Sequence, residues 1–257
     1  MLAYETSKKV YTNYTTASGI STDANVFVQQ VNAQGLCGAT DWRLPKAHEL
    51  QSLLNYSVAY PTPMIDSVFL PNSLGTQYWS SSPNTDNADY AWFVNFSDGR
   101  VSNSDRFRQY AVRLVRGTPY VPATRFTASS DGQEVTDNKT RLIWRRCSEG
   151  LTWNGATCTG TLQFYNYESA LTRAVTEASA SSKAWRLPNI KELASISDIA
   201  RNPDPAIDLA VFPGTPSERY WASTPFFNKS RIRLVWRFLR WLPELFVTHK
   251  QLCCSIS

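Results

Sequence analysis

Two stretches of this chain are near copies of each other, and that repeat constrains the fold more than any other feature. The segment from Asp41 to Leu50 carries Trp-Arg-Leu-Pro followed by Glu-Leu, and the segment from Ala184 to Leu193 repeats it 143 positions later. The match resumes at Ile65 and Ile207, now 142 positions apart, so the copies differ by one deletion. A repeat of about 140 residues can close its own core, so we expect two tandem versions of one domain.

The repeat also places the domain boundaries. We assign copy 1 to residues 1–117, a linker with two prolines to residues 118–125, and copy 2 to residues 126–257. Copy 2 has a lead-in, Phe126 to Trp144, that copy 1 lacks, so we expect the chain to begin inside its first domain. A start of that kind cannot show a signal peptide, and the polar opening sequence therefore does not decide the compartment.

The net charge of +5 lies entirely in the tail. From Lys229 onward the chain has six basic residues and one acidic residue, and the sequence before it is neutral. Neither domain therefore carries the basic surface that is typical of nucleic-acid binding, and we expect no nucleic-acid partner. No apolar run is long enough to predict membrane insertion in this segment.

Helical and strand patterns alternate irregularly in copy 1. Thr22 or Ser21 can cap a first helix that ends at Gly35, and Pro45 suits the first turn of a second helix with Leu50, Leu53 and Leu54 on its apolar face. Strands follow at 78–81, 90–96 and 111–116, and Asp98-Gly99 predicts a hairpin turn.

Copy 2 shows a comparable pattern. We expect a turn at 135–140, a strand at 142–144, and a helix at 167–178 with Ala170, Leu171, Ala174 and Val175 at helical spacing. A further helix after Pro188 carries Leu193 and Ile196 on one face. Two helices and short antiparallel strands in each copy predict an α+β fold class.

The tail does not continue the pattern of copy 1. Where copy 1 has Tyr90-Ala91-Trp92 and then Phe96-Ser97-Asp98-Gly99, copy 2 continues with basic and apolar residues from Arg231 onward. Synonymous codons for residues 231–257 exist that, in a neighbouring frame, encode Tyr-Ala-Trp, Phe-Ser-Asp-Gly and a closing Val-Val-Arg. We therefore expect a frameshift from about residue 231, with a genuine basic amphipathic tail as the alternative. Sequencing the locus distinguishes the two.

The repeated residues do not form a catalytic set. The two histidines are His48 and His249, so copy 2 has none before the tail, and no metal-ligand spacing or phosphate loop is present. We expect no catalytic residues, no metal site and no cofactor. Residues that recur in both copies indicate a role in the fold. We expect the arginines to hold the strand-to-helix corner and the tryptophans to lie in the core. These structural-motif residues are Trp42, Arg43, Pro45, Trp79, Trp92, Trp185, Arg186, Pro188 and Trp221.

Cys147 and Cys158 bound a short glycine-containing loop. In an exported protein this spacing predicts a disulfide, and two buried thiols are the alternative. Cys37 has no evident partner in the sequence.

Taken together, the motifs resemble the bacterial DUF1566 domain, which is also the C-terminal part of the Legionella collagen-like adhesin. The residues that carry the resemblance are Val135 to Thr140 with Trp144, Trp185 to Leu193, Ile207-Asp208, Phe212-Pro213 and Tyr220-Trp221 in copy 2, and Trp42 to Pro45, Tyr78 to Ser81, Ala91-Trp92, Phe96 to Gly99 and Val112 to Gly117 in copy 1.

The resemblance implies a C-type-lectin-like fold in exported or surface proteins of bacteria, with binding of sulfated polysaccharides known for the adhesin. The first copy lacks its opening strand and the second its closing strands. The active-site cysteines of the related sulfatase-modifying enzymes are not matched.

We therefore expect a non-catalytic ligand-binding or adhesion module, located extracellularly, at the cell surface or in the periplasm. Its partner would be an extracellular glycan or a host or surface protein. A purely structural module and a formylglycine-generating type of enzyme are the alternatives. Copy 1 should be the better binder, and Arg100, Arg106 and Arg108 are the cations placed to meet an anionic glycan. The candidate ligand-binding residues are Asn84, Asp86, Asn87, Asp89, Asp98, Arg100, Arg106 and Arg108.

Overall fold

Each sequence copy folds around its own core in the computed structural model, and the chain divides into the units Met1–Thr118 and Pro119–Ser257. The structure describes residues 4–5, 10–14, 22–58, 61–118, 122–198 and 204–225, together with the strand backbones at 233–237, 245–246 and 251–252. Most of the tail, including His249, Cys253 and Cys254, lies outside these residues, as does the alternative helix cap Ser21.

Copy 1 is a small mixed domain dominated by antiparallel strands. A three-stranded sheet has the order β2-β3-β4, and β1 pairs with β5 beside it. The elements are β1 (Tyr4–Glu5), α1 (Ala24–Ala33), α2 (Ala47–Ser52), β2 (Gln77–Pro83), β3 (Tyr90–Asn95), β4 (Val101–Asp105) and β5 (Arg113–Leu114).

Copy 2 repeats the helix pair and the central strands and adds a three-stranded sheet and a two-stranded hairpin before them. The sheets have the orders β6-β7-β8, β9-β10 and β11-β15-β12-β13-β14. The elements are β6 (Phe126–Ala128), β7 (Glu134–Asp137), β8 (Ile143–Arg145), β9 (Leu151–Trp153), β10 (Cys158–Gly160), β11 (Phe164–Tyr165), α3 (Tyr167–Ser181), α4 (Ile190–Ser195), β12 (Arg219–Pro225), β13 (Arg233–Arg237), β14 (Leu245–Phe246) and β15 (Gln251–Leu252).

The central strand pair has the same register in both copies. In copy 1 Trp79 lies opposite Phe93 and Pro83 opposite Ala91, with a bulge between them. The pairing of β12 with β13 places Trp221 opposite Val235 and has its irregularity at the same position. The repeat of the backbone, with its spacing of 142 positions, therefore extends into β13. The residue types there differ from those of copy 1.

The α+β prediction is confirmed in its coarse form, because both copies combine few helices with small antiparallel sheets. Local details differ. The cap of α1 is Asp23 rather than Thr22, because its carboxylate accepts the Asn25 N–H at 2.9 Å. Pro45 precedes the N-cap of α2 rather than occupying its first turn.

Two further local predictions were wrong. Val175 was expected on the apolar face of α3 but is 65% exposed, and the buried residues of that helix are Ala170 and Ala174. Residues 135–137, expected in a turn, belong to β7. The strand at 135–137 is set by its pairing with β6 on one side and β8 on the other, which a local turn pattern does not show.

Candidate functional site

The repeated arginine and glutamate form the same corner in each copy. Arg43 donates Nη1 to Oε2 and Nη2 to Oε1 of Glu49, both at 2.7 Å, and Arg186 makes the equivalent bonds to Glu192 at 2.9 and 2.7 Å. Each carboxylate also accepts the backbone N–H of the helix N-cap residue at 2.7 Å. Burial alone would raise the pKa of Glu49, but hydrogen bonds from Arg43 and from the Lys46 N–H outweigh it and hold that pKa below its ordinary value.

The corner is tied to the central sheet by backbone bonds. The carbonyl of Pro45 accepts the Ser81 N–H at 2.8 Å, and the carbonyl of Pro188 accepts the Ser223 N–H at the same distance. The motif tryptophans are buried, with exposed fractions from 0% to 6%. These contacts pair the arginine, the glutamate and the proline carbonyl within each domain, which indicates a role in the fold. The buried tryptophans are Trp42, Trp79, Trp92, Trp185 and Trp221.

The polar loop Asn84–Asp89 connects β2 to β3 at one end of the copy 1 sheet. Asn84 is 8% exposed, and its Oδ1 accepts the backbone N–H groups of Asp86 and Asn87 at 2.9 and 3.4 Å. Asn87 Oδ1 accepts the Asp89 N–H at 2.9 Å. These side-chain turns fix the loop backbone, so the exposed residues from 85 to 89 are held on an ordered segment.

Arg106 holds the backbone of this loop in place through hydrogen bonds. Its side chain donates Nε to the Ala88 carbonyl at 2.6 Å and Nη1 to the Asn13 carbonyl at 2.8 Å, and its backbone N–H bonds to the Asp89 carbonyl at 2.8 Å. The residue is only 8% exposed, and its burial lowers the pKa of the guanidinium against the opposing pull of Asp89 and Asp23. The expectation that Arg106 meets an anionic ligand is therefore corrected: it is a structural cation that positions the loop.

The segment after β4 lies beside the same loop and supplies an aromatic ring. Phe107 is 59% exposed, and the Arg108 guanidinium carbon lies 5.6 Å from its ring centroid. Arg108 Nε is 3.8 Å from Asp105 Oδ2. The Tyr90 hydroxyl also forms a hydrogen bond with Asp105, and this bond raises the pKa of Tyr90. We call residues 84–89 with 105–108 the loop site. Sequence reasoning missed Phe107, although a lone phenylalanine in the polar run 102–109 was a usable signal.

The predicted residues Asp98 and Arg100 lie elsewhere. They form the β3–β4 turn, where Gly99 has a φ of 74° and the Arg100 Nη2 lies 3.1 Å from Asp98 Oδ2. A six-residue strand, β3, separates this turn from the loop site, which corresponds to roughly 17 Å. The eight predicted ligand residues therefore do not form one surface.

In copy 2 the cysteine-bounded segment is a disulfide-linked hairpin. Cys147 and Cys158 are bonded, and β9 pairs with β10 between them. Next to the bridge, the buried Glu149 carboxylate accepts a bond from Arg173 Nε at 2.9 Å. Arg145 Nη1 lies 3.6 Å from its other oxygen. This network links the hairpin to α3 and has a structural role. The copy 2 counterpart of the polar loop, from residue 226, lies outside the described residues.

The described part of the chain contains no grouping of three His, Cys, Asp or Glu side chains that could hold a metal ion. None of its helices combines the length and the apolar character that crossing a lipid bilayer requires.

One family model matches the chain, at two places. The family model of the Lcl C-terminal domain matches residues 4–116 and again residues 133–245. No curated protein and no solved structure matches the chain. The two matches follow the repeat and the two folded units, and together they span most of the chain. The chain therefore belongs to the Lcl C-terminal domain family and carries two tandem copies of that domain.

Proposed function

We propose that this chain is a non-catalytic ligand-binding module of an exported or surface protein of bacteria, that its ligand is a glycan, and that each copy has a C-type-lectin-like topology. The single observation that supports binding is the loop site, where exposed polar groups and the Phe107 ring stand on a backbone fixed by Arg106. A loop ordered before binding loses less entropy on complex formation, so modest contacts yield measurable affinity. Membership of the family supports a surface-protein module.

The charges at the loop site favour a neutral glycan over a sulfated one. Arg106 is buried and Arg100 lies at the other end of the sheet, so Arg108 is the one of the three predicted cations that stands exposed at the site. The same loop site carries the exposed residues Asp86 and Asp89, whose negative charges would repel sulfate groups. Carboxylates and amides beside an aromatic face suit the hydroxyl groups and apolar ring face of an uncharged sugar.

The Cys147–Cys158 bond supports export, because disulfides persist in oxidising compartments and are rare in the bacterial cytoplasm. The formylglycine-generating alternative receives no support, since it needs a reactive cysteine pair and these two cysteines are joined and mostly buried. The purely structural module stays as the second candidate. The arginine–glutamate corner favours it, because the most strongly repeated residues all serve the fold.

The test is binding of the full chain to an array of neutral and sulfated polysaccharides. We expect retention on neutral chains and a loss of about tenfold for Phe107→Ala or Asp86→Ala, equivalent to roughly 1.4 kcal/mol. Arg100→Ala, at the far turn, is the matched control and should change binding less than twofold. Absence of retention on every polysaccharide would instead support the structural module.

A further inference from the structure

Strand β4 lies at the edge of the copy 1 sheet, whose order is β2-β3-β4. On its inner side it pairs with β3 over its whole length, from Val94 opposite Val101 to Tyr90 opposite Asp105. On its outer side no strand of the described residues pairs with it. An edge of this kind is a template on which a further strand can add.

The direction of the backbone groups of β4 follows from the hydrogen bond at its end. The Arg106 N–H donates to the Asp89 carbonyl at 2.8 Å, which makes these two residues a hydrogen-bonded pair. Such pairs alternate along an antiparallel ladder, so the even-numbered residues of β4 bond to β3 and the odd-numbered residues point outward. Among the described residues, no acceptor bonds to the outward N–H groups of Val101, Asn103 and Asp105.

The middle residue of β4 also has an unpaired side chain. Both amide atoms of Asn103, Oδ1 and Nδ2, are buried and form no hydrogen bond with the described residues. Asn103 lies opposite Trp92 in the ladder, and the Trp92 Nε1 is buried and unpaired in the same way. Buried amide atoms without partners cost free energy, so a contact that pairs the Asn103 amide is favourable.

The two ends of β4 carry opposite charges. Asp98, in the turn before the strand, has a side chain that is 32% exposed, and Arg108, in the turn after it, has one that is 61% exposed. Asp98 pairs with Arg100 at 3.1 Å, and Arg108 pairs with Asp105 at 3.8 Å. Exposed pairs of this kind contribute little free energy, so both charges are free to form stronger contacts with a partner.

We propose that the outer edge of β4 is a self-association surface, on which a second copy of this chain adds its own β4 antiparallel to the first. The two-fold axis passes through Asn103, whose outward N–H and C=O groups bond to the same groups of the second copy. The Asp105 carbonyl already accepts the Arg108 N–H at 3.0 Å, and its second lone pair serves the added strand. The two three-stranded sheets then form one sheet of six strands.

A second copy fits this edge because β4 is complementary to itself. An amide has both a donor and an acceptor, so two Asn103 side chains facing each other across the axis bond reciprocally after a change of rotamer. The antiparallel arrangement also brings Asp98 of each copy to Arg108 of the other. Every contact occurs twice in a two-fold interface, so the dimer gains two ion pairs of opposite charge.

The edge does not depend on the additional strands that precede the helices in copy 2. Those strands form sheets of their own, β6-β7-β8 and β9-β10, and add nothing to the sheet that contains β12 and β13. The strand next to β13 is β14, which lies at the edge of that sheet as β4 does in copy 1. Since β4 has five mostly polar residues, the interface is small, and we expect weak, concentration-dependent association.

The experiment measures the mass of the full chain by sedimentation velocity, from micromolar to millimolar concentration at low salt. We expect a reversible equilibrium between monomer and dimer. Asp98→Arg and Arg108→Asp should each weaken dimerisation at least tenfold, because each places like charges at both ends of the interface. Mixed together, the two variants should associate as tightly as the unchanged chain, because every charge then meets its opposite.

The matched control is Arg141→Asp, which makes the same change of charge at an exposed turn of copy 2. Arg141 has a positive φ of 65°, which aspartate tolerates, so this variant should fold and dimerise normally. Circular dichroism checks that all three variants are folded. Association of the mixed variants is a second check, because two unfolded chains would not restore a specific dimer.

Hydrogen exchange followed by NMR locates the interface independently of any variant. Raising the concentration should slow exchange of the outward N–H groups of Val101, Asn103 and Asp105, and should leave Ser102 and Ser104 unchanged. A chain that stays monomeric would overturn the proposal. So would dimers that the charge variants leave intact, variants that do not associate when mixed, or protection confined to residues 229–257, which would assign the association to the basic tail.

Discussion

Two arginine side chains of copy 1 bond to the protein's own backbone rather than to solvent. Arg43 bonds to Glu49 and to the Gly117 carbonyl. These two bonds join the start of α2 to the C-terminal end of copy 1. Arg106 holds the polar loop through the Ala88 carbonyl. Since five donors in a fixed fork can satisfy several acceptors at once, a buried arginine is an efficient clamp, and charge alone does not indicate a ligand contact.

The Arg43–Glu49 pair predicts a pH dependence. The folded-state pKa of Glu49 is lowered, so its stabilisation is complete above its unfolded pKa of about 4.3 and is lost as the pH falls through the lower folded value. Glu49→Gln should cost about 1–2 kcal/mol of unfolding free energy at neutral pH. Urea unfolding between pH 3 and pH 7 should show the two proteins converging below pH 4. A constant difference over this range would contradict the assignment.

The repeated tryptophans predict a large stability effect at a single residue. Trp185 is 6% exposed, and Trp185→Ala should destabilise copy 2 by roughly 3–5 kcal/mol, enough to unfold a marginal domain. Circular dichroism and proteolysis should show copy 2 unfolded. Val175→Ala, at an exposed site of the same copy, serves as the control. Native-like melting of the Trp185 variant would show that the side chain contributes little to the core.

At the scale of elements, the sequence predicted the structure correctly where a pattern occurs twice or where a dipeptide has a strong turn preference. The corner between Trp42 and α2 was expected because its residues recur around Trp185, and the turn at Gly99 was expected because Asp-Gly tolerates positive φ. Strand β4 was missed, because Val-Ser-Asn-Ser-Asp lacks an apolar alternation, and its pairing with β3 sets its conformation. The role of Arg106 was missed because its acceptors, residues 13 and 88, are remote in sequence.

The disulfide-linked hairpin of copy 2 predicts a redox-dependent stability. Cys147 and Cys158 close a short loop, and removing the bond should lower the stability of copy 2 by roughly 2–3 kcal/mol through added freedom of the unfolded chain. Thermal melting with and without reductant measures the effect. Mass spectrometry of a digest prepared without reductant should show the cross-link, and two alkylated thiols at these positions would contradict it.

The helices α2 and α4 differ in the residue at the N-cap, and this difference predicts the effect of two substitutions on stability. In α4, Asn189 Oδ1 accepts the Glu192 N–H at 2.9 Å, whereas the equivalent cap of α2 is Lys46, whose side chain makes no capping bond. Lys46→Asn should therefore stabilise copy 1 by about 0.5–1 kcal/mol, and Asn189→Ala should destabilise copy 2 by about 1 kcal/mol. Chemical denaturation of each variant checks both signs. A destabilising Lys46→Asn would indicate that the lysine has another role.

For the whole molecule, the tail is one of the places where the two copies differ. Strand β13 keeps the register of β3, so copy 2 preserves the backbone pairing next to β12. The residues beyond it do not continue the copy 1 pattern, and we retain the proposal that a frameshift begins near residue 231. At 142 positions after Arg106 the chain has Thr248. Copy 2 as encoded therefore has no arginine at the position that clamps the polar loop in copy 1.

This difference predicts that copy 1 is the better ligand binder. Its loop site is fixed by β2, β3 and Arg106, and the sequence of copy 2 has no arginine at the equivalent position. A loop that is ordered before binding loses less entropy in the complex, which favours copy 1. Residues 1–118 and 119–257, expressed separately, should differ at least tenfold in affinity for a neutral polysaccharide. A sulfated polysaccharide at low and high salt identifies any binding through the basic tail, because such binding weakens with ionic strength. Equal affinity of the two units, or salt-sensitive binding by residues 119–257 alone, would overturn the assignment of the site to copy 1.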